Sequence, residues 1–228
     1  MHSGRRTGQI ILILLIGAIA VLYALDLAGD GQGVRELAPA EVREYQGEQL
    51  SSITDFRENS IRGPQHVNAS TYTLTVDGLV ENREDYSYDA LMERFPHYRK
   101  VVTLYCVEGW DVTILWEGIR VKDLLQEAGV KPGANTVIFY AEDGYSSSLP
   151  LAYIEDRDIL LAYAMNNVTL PAERGFPFQL VAEDRWGYKW VKWVTRIEVS
   201  DDENYRGYWE SRGYANNGSL DRSFFGQG

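Results

Sequence analysis

The sequence predicts an α+β fold with mixed sheets, in a domain at residues 31–228 that follows one N-terminal membrane helix. Short strand patterns and short helical patterns are interspersed along the chain. They do not follow the regular strand–helix alternation that a parallel, doubly wound sheet requires. At the centre, residues 100–117, KVVTLYCVEGWDVTILWE, read as a buried strand, a turn at Gly109 and a second strand.

Residues 1–30 are predicted to be a membrane anchor and linker. The apolar run at 10–25, IILILLIGAIAVLYAL, is at the short end of the about 17–25 residues of a membrane helix, and it also fits a signal-peptide core. No small-x-small cleavage site follows it directly, which favours an uncleaved, single-pass anchor. Arg5 and Arg6 precede the run and acids follow it, so we expect the domain outside the cell membrane.

The domain is predicted to begin with a short helix at 40–49 and an irregular arm at 51–67. Long irregular arms often carry function. The alternating pattern at 72–80 predicts a strand with a turn at Asp77-Gly78. A helix follows at 88–95, where Leu91 and Phe95 are four residues apart and Pro96 ends the pattern.

The second half of the domain continues with short elements. A helix is predicted at 121–128, because Gly129 and then Pro132 end its pattern. The remaining strands are predicted at 136–140, 145–149, 176–181 and 192–199, with a helical turn starting at Leu151. The apolar segment 158–165 is predicted to be buried and to end in a turn at Asn166-Asn167.

Composition excludes several classes of function. A chain that is 45% hydrophobic and 12% aromatic is expected to fold. Its net charge of -11 argues against nucleic-acid binding, which needs a basic surface. Its histidines, His2, His66 and His97, lie far apart, and no HExxH, CxxC or CxxCH pattern is present, so zinc and covalently bound haem are not expected.

Cys106, at the end of the first central strand, is the one cysteine of the sequence. It has no internal disulfide partner. A lone cysteine in a strand is a packed small hydrophobe, a reactive thiolate or a metal ligand, and by itself the packing interpretation is favoured.

Five ordered blocks resemble the sulfite-oxidase-type molybdopterin oxidoreductases over Ser51–Tyr214. They are CVEGW at 106–110 with WEG at 116–118, DGYSSSLPL at 143–151, LLAYAMNNVTLP at 160–171, RGFPFQLVAEDRWGYKWVKWVTRIEV at 174–199 and GYW at 207–209. The resemblance implies a sulfite-oxidase-type molybdopterin-binding fold. It also implies a molybdenum ion held by the dithiolene of one pyranopterin and by one cysteine, here Cys106. A metal that cycles between oxidation states favours a soft thiolate ligand, which cysteine supplies and serine does not. The best-known branches are sulfite oxidases and periplasmic reductases of protein methionine sulfoxide.

The resemblance also implies the residues that hold the cofactor. Its phosphate calls for cations and backbone donors. Arg174, Lys189 and Lys192 stand where the family has such groups. Trp190 and Val191, between the two lysines, are assigned to the same site. Taken alone, two lysines among aromatic residues would instead be a solvated pair beside the core.

Four further candidate residues come from the arm and the DGY block. Asn59 and Arg62 lie in FRENSIRGP, which resembles the arm that touches the cofactor in relatives. Arg57 and Arg62 are candidates to contact the pterin or an anionic substrate, or they are ordinary surface arginines. Tyr145 falls where sulfite oxidases carry an active-site tyrosine, so it and Cys106 are the predicted catalytic residues. Its alternative role is that of a core aromatic.

Two positions depart from the family pattern. Gln179 replaces a frequent arginine, so it is expected to hydrogen-bond the pterin without adding charge. Asp111 replaces a frequent serine after the CVEGW block, and a carboxylate near the metal would disfavour an anionic substrate. Both departures weaken the sulfite interpretation.

The sequence therefore predicts a membrane-anchored molybdenum oxidoreductase that transfers an oxygen atom, with two electrons, on a small S- or N-oxide-type substrate. Neither a haem domain nor the C-terminal dimerisation domain of sulfite oxidases is recognised in the sequence. We therefore expect electrons to pass to or from a separate partner, a haem or quinone-linked membrane protein. The alternatives are a sulfite-oxidase-like activity and a cofactor-free cell-surface binding module.

Overall fold

The structure, a computed structural model, describes residues 40–226. These residues belong to one unit of the chain, Pro39–Gly228. The predicted membrane helix at 10–25 and the linker at 26–39 lie outside the described residues. Within 40–226, no helix is long and apolar enough to cross a membrane.

Strands and short helices alternate irregularly along the domain, as predicted. In chain order the strands are β1 Glu44–Tyr45, β2 Glu48–Gln49, β3 Thr73–Gly78, β4 Glu84–Ser87, β5 Tyr98–Tyr105, β6 Asp111–Arg120, β7 Thr136–Ala141, β8 Ser146–Pro150, β9 Leu160–Met165, β10 Val168–Thr169, β11 Gln179–Val181 and β12 Val194–Ser200. The α-helices are α1 Tyr88–Arg94, α2 Val121–Ala128 and α3 Leu151–Asp156. Short 3-10 helices lie at Ala69–Thr71, Ala172–Arg174, Gly187–Lys189 and Glu210–Arg212.

The first sheet is antiparallel and is built on the predicted central pair. β5 and β6 form a hairpin, in register from Tyr98↔Gly118 to Tyr105↔Asp111. β9 pairs with the other edge of β6 and carries β10 and β11. β6 and β9 approach so closely at Gly118 that a Cβ there would lie 2.4 Å from the carbonyl oxygen of Leu161. Glycine is therefore required at this position of the sheet.

The second sheet is mixed, in the order β4-β3-β12-β7-β8. β3 and β12 are parallel, with Arg196 opposite Thr75, whereas the other pairs are antiparallel. A strand early in the domain therefore lies beside one of the last strands. The predicted α+β class with mixed sheets is confirmed in this part of the chain.

The two sheets and the helices share one hydrophobic core. Trp116 on β6, Phe139 on β7 and Ile197 on β12 are fully buried, and all belong to the same cluster of packed apolar residues. Burial of such side chains supplies most of the favourable free energy of folding. The core thereby fixes the ends of β5 and β8, where the candidate site lies.

The helix predicted at 40–49 is wrong. Residues 44–49 form the two-residue strands β1 and β2, joined by a turn in which Gln46 has φ +52° and Gly47 has φ +88°. Two successive residues at positive φ make a hairpin turn that matches the twist of the strands, and they cannot continue a right-handed helix.

Two strand predictions also need correction. The strand predicted at 176–181 begins only at Gln179. The polar strand β4, at the edge of the second sheet, was not predicted, because its sequence EDYS lacks an alternating apolar pattern. By contrast, α2 ends as predicted, since Gly129 adopts φ +72° and its N–H donates to Leu125.

Candidate active site

Cys106 opens the loop that joins β5 to β6. The Cys106 N–H donates to the carbonyl of Trp110 at 2.9 Å, and the Gly109 N–H donates to the carbonyl of Cys106 at 3.0 Å. Gly109 has φ +84°, a conformation that favours glycine. We call residues 106–110 the cysteine loop. Its backbone hydrogen bonds fix the cysteine at the end of a rigid hairpin.

The 3-10 helix Gly187–Lys189, called the 187–189 turn, packs against this hairpin. Trp186 forms a parallel bridge with Tyr105. A Cβ on Gly187 would lie 3.3 Å from the Tyr105 carbonyl oxygen and 3.6 Å from the Cys106 Cα. The small residue therefore lets two segments that are distant in sequence meet beside the cysteine.

A cavity of about 310 Å³ opens at this junction. Both predicted catalytic residues, Cys106 and Tyr145, line it. So do the predicted cofactor residues Asn59, Arg174, Gln179, Trp190 and Lys192. Its volume is at the lower end of the range of small-molecule and cofactor sites, about 300–1,000 Å³.

Arg62, Lys189 and Val191 are not brought to the cavity wall. Arg62 lies beside Gly144, and Val191 is fully buried in the core. Lys189 is also fully buried, and its ammonium group donates to Glu210 at 2.6 Å and to the Asn216 carbonyl at 2.9 Å. With its donors directed to these partners, Lys189 does not extend into the cavity.

Cys106 as a residue is 8% exposed. Burial raises the pKa of the Cys106 thiol, and the backbone N–H of Glu108 opposes that rise. Two neighbouring charges have opposite effects, since the Glu108 carboxylate raises the pKa of Cys106 and the Arg57 guanidinium lowers it. A bound metal ion would reverse this balance, since a coordinating thiol is deprotonated by the metal charge.

Arg174 is a buried cation without a carboxylate partner among the described residues. Its side chain donates to the carbonyls of Phe56 at 3.2 Å and Arg57 at 3.4 Å, and its guanidinium lies 4.7 Å from the centre of the Phe56 ring. Its buried Nε has no hydrogen-bond partner among residues 40–226. Burial lowers the pKa of Arg174, and the charges of Glu173 and Glu58, which form no ion pair with it, oppose that shift. An unpaired buried charge is costly, so this wall of the cavity favours an anion.

Lys192 lies on the same side of the cavity and is partly neutralised. Its ammonium group donates to Glu58 at 3.0 Å and lies 4.4 Å from the centre of the Trp193 ring. Burial lowers the pKa of Lys192, and its bond to Glu58 opposes the shift. An incoming phosphate would compete with Glu58 for this ammonium group.

The cysteine loop itself carries a carboxylate that the sequence reasoning missed. Glu108 lines the cavity and accepts from Asn59 at 3.3 Å and from the indole of Trp110 at 3.2 Å. Asp111, the departure noted in the sequence, is exposed and does not line the cavity. The carboxylate beside Cys106 that lines the cavity is therefore at 108, and its signal was its place two residues after the cysteine.

Tyr145 is held at a wall of the cavity by two hydrogen bonds. Its hydroxyl donates to the carbonyl of Tyr188 at 2.5 Å, and its backbone N–H donates to the buried Asp143 at 2.9 Å. Burial raises the pKa of Tyr145 well above its ordinary value, and Glu210 adds to that rise. The side chain is therefore a neutral hydrogen-bonding group. The aromatic residues Tyr188, Trp209 and Tyr214 continue this wall and were not predicted as site residues.

The residues present fit a molybdopterin. Cys106 offers the soft ligand that molybdenum prefers, at the wall of a cavity. Arg174, with an unpartnered buried donor, offers a cation for an anionic tail. Gln179 and Trp190 offer a neutral amide and an aromatic surface beside it.

Comparison with known proteins supports this fit. Residues 61–209 match the model of the family "Oxidoreductase molybdopterin binding domain". The uncharacterized oxidoreductase YuiH of Bacillus subtilis is 36% identical over 66% of this chain and 76% of YuiH. The putative protein-methionine-sulfoxide reductase subunit YedZ1 of Azospira oryzae is 31% identical over 66% of this chain and 56% of YedZ1.

A sulfite oxidase and a sulfane dehydrogenase are also similar to this chain. Sulfite oxidase of Gallus gallus is 32% identical over 70% of this chain, and the match covers 41% of that protein. The crystal structure of the sulfane dehydrogenase SoxCD from Paracoccus pantotrophus has a TM-score of 0.59 at 28% identity, covering 61% of this chain and 41% of that one. The chain thus matches about half or less of several of its relatives. The expected resemblance is confirmed: the chain is an oxidoreductase that uses molybdenum-molybdopterin, and it belongs to the oxidoreductase molybdopterin binding domain family.

Proposed function

We propose that this protein carries out two-electron oxygen-atom transfer on a small S- or N-oxide-type substrate. The observation that carries the proposal is the position of Cys106, at the wall of a cavity that also holds the unpaired cation Arg174. When bound, molybdopterin supplies a metal that accepts or gives an oxygen atom. Cys106 would hold the metal, and Arg174 with Lys192 would hold the anionic tail.

The charges beside Cys106 favour an uncharged substrate over sulfite. Glu108 is exposed, and its carboxylate lines the cavity while accepting hydrogen bonds from Asn59 and Trp110. A negative charge at this place repels a dianion and leaves a neutral oxide unaffected. The likeness to YedZ1, whose name is that of a methionine-sulfoxide reductase subunit, supports the same choice.

Tyr145 supports the orientation of the substrate. Its hydroxyl is neutral and is a donor of fixed direction, held by the Tyr188 carbonyl. It contacts the Tyr208 ring, with 5.7 Å between ring centres, which restricts its movement. A substrate oxygen that replaces the Tyr188 carbonyl as acceptor would take a hydrogen bond from the Tyr145 hydroxyl at a defined place.

Metal analysis and turnover of Cys106→Ser test the proposal. We expect the purified wild type to contain molybdenum and to reduce methionine sulfoxide with an artificial electron donor. Cys106→Ser is expected to lose at least about a hundredfold in kcat/KM, since a serine is a poor ligand for a soft metal. A wild type that is active without molybdenum would refute the proposal.

Sulfite oxidation is the second candidate. It is favoured by the likeness to sulfite oxidase and by Arg57, a cation that lines the cavity and acts on Cys106. Steady-state assays with sulfite and an artificial electron acceptor, run beside the sulfoxide assay, separate the two. A kcat/KM for sulfite above that for sulfoxides would select the second candidate.

We also propose that the domain is attached to the cell membrane by residues 10–25 and faces the outside. The run is apolar, follows two arginines and precedes acids. A separate haem or quinone-linked membrane protein would then exchange electrons with the domain. Protease treatment of intact cells should cleave the domain, whereas protection until lysis would contradict this topology.

A further inference from the structure

The buried pair Lys189–Glu210 lies behind the cavity wall and has no part in the proposed chemistry. Both side chains have no exposed surface, and the ammonium nitrogen is 2.6 Å from the Glu210 Oε1. Ser147 on β8 donates to the same carboxylate oxygen. The pair therefore connects three segments: the 187–189 turn, β8 and the 3-10 helix that begins at Glu210.

A buried ion pair is poor evidence of a stabilising role. Moving two charges out of water costs about as much as their attraction returns, and two well-packed apolar side chains often serve equally well. Glu210 Oε2 lacks a hydrogen-bond partner within 40–226, which adds to the cost. The arrangement is better explained by where it places its neighbours.

Those neighbours form one wall of the cavity. The carbonyl of Tyr188, next to Lys189, accepts a hydrogen bond of 2.5 Å from the Tyr145 hydroxyl. Trp209, next to Glu210, lines the cavity, and its ring centre is 5.1 Å from that of Tyr214. A shift of Lys189 relative to Glu210 would therefore move both the acceptor of Tyr145 and an aromatic wall.

The C-terminal segment is shaped around the lysine stem. Gly218 adopts φ +65°, and a Cβ there would lie 2.5 Å from the Lys189 Cγ. The Tyr188 hydroxyl donates to the Ala215 carbonyl at 2.7 Å. The segment thus closes over the turn with no room for a side chain at 218.

We propose that Lys189 and Glu210 are positioning residues that hold the 187–189 turn and the Trp209–Tyr214 wall in register, and so place the Tyr145 hydroxyl for the substrate. This deepens the proposed function and rests on it where substrate is concerned. The clamping of the two segments is independent of any activity.

The decisive variant removes both charges and keeps the bulk. Lys189→Met alone is expected to unfold at a lower temperature, because it leaves Glu210 buried and unpaired. Lys189→Met with Glu210→Leu should recover the wild-type midpoint to within about 3 °C. Lys122→Met, which breaks the partly exposed pair with Asp158, is the matched control.

Two readouts distinguish positioning from plain stability. Hydrogen exchange in the double variant should be at least about fivefold faster in 186–190 and in 207–216, with β5 and β6 unchanged. KM for the sulfoxide should rise about tenfold with a smaller change in kcat. The control should match the wild type in both.

Unchanged exchange in either segment of the recovered double variant would overturn the inference. An unchanged KM in an active enzyme would do the same. If the double variant does not fold, Ser147→Ala, which removes one donor to Glu210, is judged by the same two criteria. If the double variant showed faster exchange but the wild type transferred no oxygen atom, the positioning role of Lys189 and Glu210 would hold and the proposed function would be refuted.

Discussion

The partners of a single residue, Arg174, indicate the charge of the ligand that the cavity favours. Its guanidinium has two carbonyl groups and an aromatic ring for partners, and no carboxylate within the described part of the chain. Lys189, equally basic in the sequence, has a buried glutamate. The surroundings decide the role, because a cation that is fully buried beside its own anion, as Lys189 is beside Glu210, is not accessible to a ligand. Sequence alone does not distinguish the two.

Replacing Arg174 should separate cofactor binding from folding. In Arg174→Met we expect the free energy of unfolding of the cofactor-free protein to stay level or to rise by about 1 kcal/mol, because an unpaired buried charge is removed. Molybdenum content should fall at least about tenfold, since a charge-assisted contact to the phosphate is lost. Urea unfolding and metal analysis measure the two effects.

The control for this variant is Arg196→Met on β12. Arg196 is paired with Asp77 at 2.9 Å and lies away from the cavity. The Arg196→Met variant should lose no more than about 1 kcal/mol in the free energy of unfolding, and its molybdenum content should equal that of the wild type. A destabilised Arg174→Met with full metal content would contradict the assignment.

Glu108 should set the charge preference for substrates. Glu108→Gln keeps a side-chain oxygen for Trp110 and removes the charge, so kcat/KM for sulfite should rise about tenfold, equal to about 1.4 kcal/mol. The value for a neutral sulfoxide should stay within about threefold. Asp111→Asn, at an exposed position outside the cavity wall, should change neither. If Asp111→Asn raised kcat/KM for sulfite and Glu108→Gln did not, the charge effect would belong to Asp111, as the sequence predicted.

At the scale of elements, the site depends on places where backbones meet closely. The cysteine loop is fixed because β6 is held between β5 and β9. The 187–189 turn reaches Cys106 because Gly187 presents no side chain to Tyr105. The contact at Gly118 is tighter still, because an added Cβ would meet backbone atoms of β9 at 2.4 Å and 2.8 Å, and backbone atoms in a packed sheet cannot move aside.

Gly118→Ala should be strongly destabilising. Its Cβ would lie 2.4 Å from the Leu161 carbonyl oxygen and 2.8 Å from the Ala162 Cα, both backbone atoms of β9. We expect a loss of about 3 kcal/mol or more in the free energy of unfolding by urea. Gly133→Ala, where nothing lies within 4 Å of the added atom, should lose only the about 1 kcal/mol due to its φ of +94°. Equal losses would disprove the steric explanation.

At the scale of the whole molecule, the sequence predicted the class of fold and most elements. The central hairpin and α2 were predictable because apolar periodicity and glycine stops agree there. The partner of Lys189 was not, because Glu210 is remote in sequence and no local pattern links the two. β1 and β2 were missed because their turn is set by backbone conformation at Gln46.

Buried tyrosines should make the domain sensitive to alkali. Burial raises the pKa of Tyr72 and Tyr145 well above the ordinary value, and raises that of Tyr86 and Tyr153 as well. Unfolded tyrosines lose their proton near about pH 10. The folded state then holds more protons, so stability falls as pH rises above that value, by up to about 1.4 kcal/mol per pH unit for each tyrosine.

The buried lysines act in the opposite direction over a limited range. Burial lowers the pKa of Lys192, so its contribution to stability grows until an unfolded lysine is neutral, near about pH 10.4. Above that, the groups with raised pKa values, which are the buried tyrosines and the Cys106 thiol, lower the stability. Urea unfolding at successive pH values should show a decline above about pH 10, less steep in Tyr72→Phe and unaltered in Tyr105→Phe, whose ring is exposed. A flat profile would exclude this account.

The parallel pairing of β3 with β12 has a consequence for the order of events during synthesis. A ribosome releases β3 well before β12, at about 5–20 residues per second. Residues 174–193, which contain Arg174, Lys192 and the turn beside Cys106, also emerge after β3. A nascent chain therefore lacks the proposed pterin site until β12 has left the ribosome, and insertion of the cofactor must follow that step. Export machinery that moves the polypeptide across the membrane during translation would deliver it before this site exists.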